Sequence, residues 1–149
     1  GLERAIFVPI RLLSESGGAR EARSRAQAIA RDARAEKTAD SLHRASQAYR
    51  YAGDAKSAVL LAREAQAARP GEGRLQSELA YRLEEAGERA EASSVLARLL
   101  VCGSRGKSWH RHEVVARLRK LLSDDELRQA IGAVPCDVVE ADDLALSLR

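Results

Sequence analysis

Apolar and small side chains recur along most of this chain three and four residues apart, the period of one helix face, and glycine or proline interrupts them at intervals. Leu42, Ala45, Ser46 and Tyr49 share one such face, Gly53 breaks it, Ala58, Ala62 and Ala65 resume it, and Pro70 closes the segment. The pattern predicts a helix, a turn and a second helix. Shifted by 34 residues, it returns as Gln76, Leu79, Ala80, Leu83, Gly87, Ala92, Leu96, Leu99 and Ser104. The turn Tyr-Ala-Gly-Asp at 51–54 returns as Glu-Ala-Gly-Glu at 85–88. Residues 39–102 are therefore one pattern written twice, with small residues where helices cross and larger apolar ones beside them.

The flanks extend the pair. Between residues 2 and 16, Ile6, Phe7, Val8, Ile10, Leu12 and Leu13 are interrupted by Pro9, which predicts a short helix beginning near the proline. Gly17 and Gly18 make a turn, and Ala22, Ala26 and Ile29 follow at the spacing of Ala58, Ala62 and Ala65, so three units share Gly-x4-Ala. The first unit starts near Glu3 and is two residues longer than the 34-residue repeat. Residues 19–36 are strong helix formers, either the second helix of that unit or an exposed linker helix, and Thr38, Asp40 or Ser41 caps the next. Beyond Cys102 a loop leads to a helix over 109–122 with Val114, Val115, Leu118, Leu121 and Leu122 on its apolar side. Ser123 and Glu126 form a capping box for a helix ending near Val134, before Pro135. The acidic tail 137–149 reads as a short capping helix, or as a partner-binding or disordered tail.

The repeated segment resembles the tetratricopeptide repeat, a 34-residue helix pair with the signature Trp-x2-Leu-Gly-x2-Tyr, then Ala-x3-Phe, Ala and Pro. Over residues 39–72, Leu42, Ala45, Ser46 and Tyr49 stand at the first four positions, and Ala58, Ala62, Ala65 and Pro70 at the rest. Ala62 departs from the aromatic position; in the next unit Leu83, Leu96 and Ser104 replace Tyr, Phe and Pro. On the residues alone the alternative is an unrelated antiparallel helical bundle. The resemblance implies one all-α domain, a right-handed α-solenoid of about four antiparallel hairpins near 3–38, 39–72, 73–106 and 107–136, the terminal ones irregular.

It also implies a non-catalytic scaffold in which the first helices of successive hairpins line a concave groove for a peptide or partner domain. Position by position, that groove takes His43, Gln47, Arg50 and Tyr51 from the second unit, and Arg74, Ser77, Glu78, Tyr81, Glu84 and Glu85 from the third. Tyrosines there supply rigid contact area, arginines take carboxylates and glutamates take basic side chains, which suits a partner of mixed charge, a neighbouring domain of the same protein included. The family's carboxylate-clamp variant uses asparagines, and this sequence has none.

Composition narrows the chemistry. The 25 basic and 22 acidic side chains are interspersed, and a net charge of +3 is too small to point to nucleic acid by itself. The one concentrated basic run carries Arg105, Lys107, Arg111, Arg117, Arg119 and Lys120 around Trp109. It is the basis of an alternative reading as a nucleic-acid-binding helical module, with cations on phosphates and the indole on a base. A third alternative is the regulatory or docking domain of a larger bacterial enzyme, bacterial because Arg and Ala richness suggests a high-GC genome. No enzymatic constellation, cofactor motif or metal-ligand spacing is evident: Gly106-Lys107-Ser108 lacks the earlier glycine of a phosphate loop, and His110 and His112 fall on different helix faces. Two cysteines, Cys102 and Cys136, are too few for a secreted framework, so reduced thiols and a cytoplasmic setting are expected, a bridge between them being the alternative. No apolar run reaches the ~20 residues of a membrane span. The absence of methionine and the initial glycine suggest an excised piece of a longer protein.

Overall fold

The computed structural model describes the backbone of residues 2–103 and 111–135, with side chains from Val8 onward. The described residues are all-helical: α1 (Leu2–Glu15), α2 (Ala19–Glu36), α3 (Ala39–Tyr51), α4 (Ala55–Ala68), α5 (Gly73–Glu85), α6 (Arg89–Cys102), α7 (Arg111–Leu121) and α8 (Asp124–Gly132). They form two compact units, residues 1–70 with α1–α4 and residues 71–149 with α5–α8. The division falls at Pro70, the proline that closes the first copy of the repeat.

The turns within the first three helix pairs share three backbone hydrogen bonds. In the second pair the amide of Ala52 donates to Ala48 O, that of Asp54 to Tyr49 O and that of Ala58 to Asp54 O. Thirty-four residues on, Ala86 donates to Arg82 O, Glu88 to Leu83 O and Ala92 to Glu88 O; thirty-six residues back, Ser16 donates to Leu12 O, Gly18 to Leu13 O and Ala22 to Gly18 O. Each turn reverses at a glycine with positive φ, Gly17 at 88°, Gly53 at 79° and Gly87 at 82°, a region in which a Cβ costs about 1–2 kcal/mol. The repeated glycine of the sequence is thus a backbone requirement. The α7–α8 turn lacks it and relies on Ser123, whose hydroxyl accepts from the Glu126 amide while Glu126 accepts from the Ser123 amide.

Small residues let the helices of the first unit approach closely. Ala22, Ala26, Ala30 and Ala33 make a buried stripe on α2, and Ala45, Ala48 and Ala52 are buried on α3. Ser46 is 2% exposed and its hydroxyl donates to Ala58 O of α4 at 2.7 Å, so the hydroxyl of one repeat position is satisfied by the backbone at another. In the second unit the same positions hold Ala80 and Ala92, both fully buried. There the core is aliphatic: Leu96, Leu99, Leu100, Val114, Val115, Leu118 and Leu127 cluster around Ala80.

Three expectations are corrected. α1 runs unbroken from Leu2 to Glu15 with Pro9 inside it; the proline ring already holds a helical φ, and its cost is one ladder hydrogen bond and crowding of the preceding turn. α8 ends at Gly132, short of Val134. Cys102 is disulfide-bonded, which removes the premise of free thiols behind a cytoplasmic setting; the sequence's other cysteine, Cys136, lies outside the described residues, as does the tail 137–149. Among the described residues no helix is long and apolar enough to cross a membrane.

The end of α2 is a place where the backbone conformation and the residue disagree. Lys37 adopts φ 58°, the left-handed conformation, while its amide donates to Ala33 O. Lys37→Gly is expected to raise stability by about 1 kcal/mol, and Gly53→Ala to lower it by about the same. Denaturant unfolding of the two variants checks both signs.

Candidate functional site

The residues implicated in binding fall on the first helix of each pair, and the two units treat them differently. In the first unit α3 starts at Thr38, whose side chain accepts from the Ser41 amide, while the Ser41 hydroxyl reaches back to Ala33 O. The helix buries Leu42, Ala45, Ser46, Ala48 and Tyr49. That leaves His43, Gln47 and Arg50 on another stripe, at i, i+4 and i+7, with Tyr51 beside it. Arg50 is exposed, His43, Gln47 and Tyr51 are half-buried, and the Arg50 guanidinium carbon lies 5.6 Å from the centre of the Tyr51 ring. From α1, Arg11 pairs with Glu15 at 2.8 Å; that carboxylate, and more weakly Tyr51, raises its already high pKa.

In the second unit side chains of α7 reach the corresponding face of α5. Arg117 is only 7% exposed. Its Nη1 donates to Ser77 Oγ at 2.9 Å, and its Nη2 to Glu84 Oε1 at 2.7 Å and Ser77 O at 3.4 Å. The guanidinium carbon sits 3.4 Å from the centre of the Tyr81 ring, and the Tyr81 hydroxyl donates to Glu113 Oε1 at 2.9 Å. Burial, then the hydrogen bond to Glu113, pushes the Tyr81 phenol above its ordinary pKa against the opposing pull of Arg117. A second buried arginine, Arg82, lies 3.6 Å from Glu78 and 3.3 Å from Glu85, and Arg74 lies 3.2 Å from Glu72.

The expected site is therefore redistributed. Ser77 is 5% exposed and is spent on Arg117, so it does not face a ligand. Glu78, Glu84 and Glu85 are engaged by arginines of the fold rather than open to a partner's basic groups. Arg117, one of the cations of the nucleic-acid alternative, turns inward to α5 because a buried serine, a carboxylate and an aromatic face compensate its desolvation. Arg111 is half-buried, Lys120 is exposed, and Arg105, Lys107 and Trp109 lie outside the described residues. Among the described residues no group of three or more His, Cys, Asp or Glu is arranged to hold a metal.

A signal for the inward arginines was present in the sequence. Arg117 falls on the stripe of Val114, Leu118 and Leu121, and Arg82 on that of Leu75, Leu79 and Leu83. No known family model, curated protein or solved structure matches this chain.

Arg117→Ala leaves the carboxylate of Glu84 and the hydroxyl of Ser77 without their cation and is expected to cost about 3 kcal/mol of stability. The tyrosine supplies a check with a sign. A phenol whose folded pKa is raised contributes stability that is intact below the unfolded value near 10 and is lost as pH rises through the folded one. Glu113→Gln removes the carboxylate that raises it, so Tyr81 should ionise at lower pH in that variant than in the parent, measured by tyrosinate absorbance with Tyr81→Phe as the subtraction.

Proposed function

We propose that this chain is a non-catalytic protein-binding scaffold of the tetratricopeptide kind, its hairpins forming a right-handed solenoid, and that it takes a partner polypeptide of mixed charge on the α3 face. The reading is supported by one contact within the chain, that of α7 side chains with the face of α5. It consists of an arginine over a tyrosine ring, a hydrogen bond to serine and a charge pair with glutamate. These are the desolvated aromatic and arginine contacts that dominate protein interfaces. The repeat places His43, Gln47 and Arg50 on α3 where Ser77, Tyr81 and Glu84 stand on α5, 34 residues on. The α3 set offers a guanidinium and a phenol, groups of the kind that meet carboxylates and aromatic rings in protein interfaces.

The shared turn hydrogen bonds at intervals of 36 and 34 residues support the repeat reading, since coincident alanines alone would not reproduce the same three in each turn. The inward Arg117 weakens the nucleic-acid alternative, because a cation buried on a helix face releases no counterions on binding.

Peptides of mixed charge selected from a random array on the intact protein should lose about tenfold or more in affinity for the Arg50→Ala, Tyr51→Ala double variant, and their binding should fall only shallowly with salt. Affinity unchanged in the double variant, or a steep salt dependence shared with single-stranded nucleic acid, would count against the reading.

A further inference from the structure

The other side of α3 borders a cavity. It has a volume of about 640 Å³ and is lined by Ser24, Gln27, Ala28, Arg31 and Arg34 of α2 together with Tyr49 of α3. The α2 residues recur at three- and four-residue steps, so they form one face of that helix. Tyr49 is 8% exposed, and its hydroxyl makes no hydrogen bond among the described residues. The phenol oxygen has no protein acceptor among the described residues and opens to the cavity, where solvent or a ligand can take its hydrogen bond. Burial first, then the carboxylate of Asp54, holds its pKa above the ordinary value, with Arg34 opposing, so it is protonated at neutral pH and presents an O–H.

Two guanidinium groups line the same space. Arg34 shows what they take: its Nε and Nη2 donate to the Glu64 carboxylate of α4 at 3.1 and 3.0 Å. Arg31 has only Asp32 at 4.0 Å, with both side chains more than three-quarters exposed, an ion pair that contributes little and yields readily to another anion. With Asp32 and Glu64 counted against Arg31 and Arg34, the group carries no net charge. That balance suits a single carboxylate, taken by Arg31 in place of Asp32, better than a phosphate dianion, which would meet the Glu64 charge.

We propose that this cavity is a carboxylate-binding site in which Tyr49 donates its hydroxyl and Arg31 its guanidinium to the ligand oxygens, while Ser24 and Gln27 hydrogen-bond the atoms beyond. A carboxylate of this kind comes from an acidic side chain of a peptide or from a small free acid. The site does not rest on the α3 binding face, because Tyr49 lies off the stripe of His43, Gln47 and Arg50.

The test uses the full chain at low salt with three probes: capped tetraglutamate, succinate, and capped tetraglutamine as the uncharged control. Binding is read from the backbone amide resonances of α2 and α3, that of residue 49 included, which every variant keeps. At least one acid should shift those resonances and tetraglutamine should not. Tyr49→Phe and Arg31→Gln should each weaken that acid about tenfold or more, the loss of a hydrogen bond to a charged group, with helical content unchanged. The Arg50→Ala, Tyr51→Ala double variant should bind the acid as the parent does, which separates this site from the α3 face. Tighter tetraglutamate assigns the carboxylate to a peptide and tighter succinate to a small acid; either outcome supports the site. Failure of both acids to shift those amides, or affinities unchanged in Tyr49→Phe and Arg31→Gln, would overturn it.

Discussion

Close approach of helices through small residues is the constraint from which the first unit follows. The α2 stripe of Ala22, Ala26, Ala30 and Ala33 has little volume to fill a gap, so the backbones themselves must come together. Once they do, the α2 stripe has little room for a longer side chain, and the long polar residues of that helix lie on its flanks. Both candidate surfaces lie beside the packed faces: the stripe with Arg50 on one side of α3, and the cavity with Arg31, Arg34 and Tyr49 on the other. Ser46 obeys the same rule with a polar atom, which the Ala58 carbonyl satisfies at 2.7 Å.

The second unit solves the same problem with different chemistry. Its helices carry leucines and valines, and the contact between α5 and α7 runs through a buried arginine. An ion pair taken out of water gains little net stability, but breaking it is costly, so such a contact fixes which groups meet. Ser77, Tyr81 and Glu84, on successive turns of one helix face, take both terminal nitrogens and the guanidinium face of Arg117, while its Nε is buried without an acceptor among the described residues.

Most helix boundaries were legible in the sequence because they are local events. Gly17, Gly53 and Gly87 mark reversals that need positive φ, Thr38 and Ser123 mark starts that need a side-chain acceptor, and each acts within a few residues of itself. Pro9 misled because the rule that proline stops a helix weighs local cost against local gain and takes no account of tertiary burial, such as that of Ile10 at 1% exposure. The candidate residues on α5 were misread in one respect, that several are engaged by side chains of the fold. Ser77 and Arg117 are 40 residues apart, and no periodicity within α5 reveals that side chains of a later helix reach its face. The inward position of Arg117 could have been read from α7 itself, where it shares a stripe with Leu118. Cysteine counting leaves a bridge at Cys102 open as the alternative to free thiols, and which of the two forms is a through-space fact.

The most direct test of the packing argument compares two enlargements on the same helix. Ala26 is 0% exposed in the α2 stripe, whereas Ala35 is exposed, so Leu at either position has similar helix propensity but only one meets a neighbouring helix. Denaturant unfolding should show Ala26→Leu losing about 1–3 kcal/mol, the cost of overpacking, and Ala35→Leu within about 0.5 kcal/mol of the parent. Equal stability of the two variants would contradict the account, because it would mean that α2 tolerates a side chain where its backbone is held to be in contact.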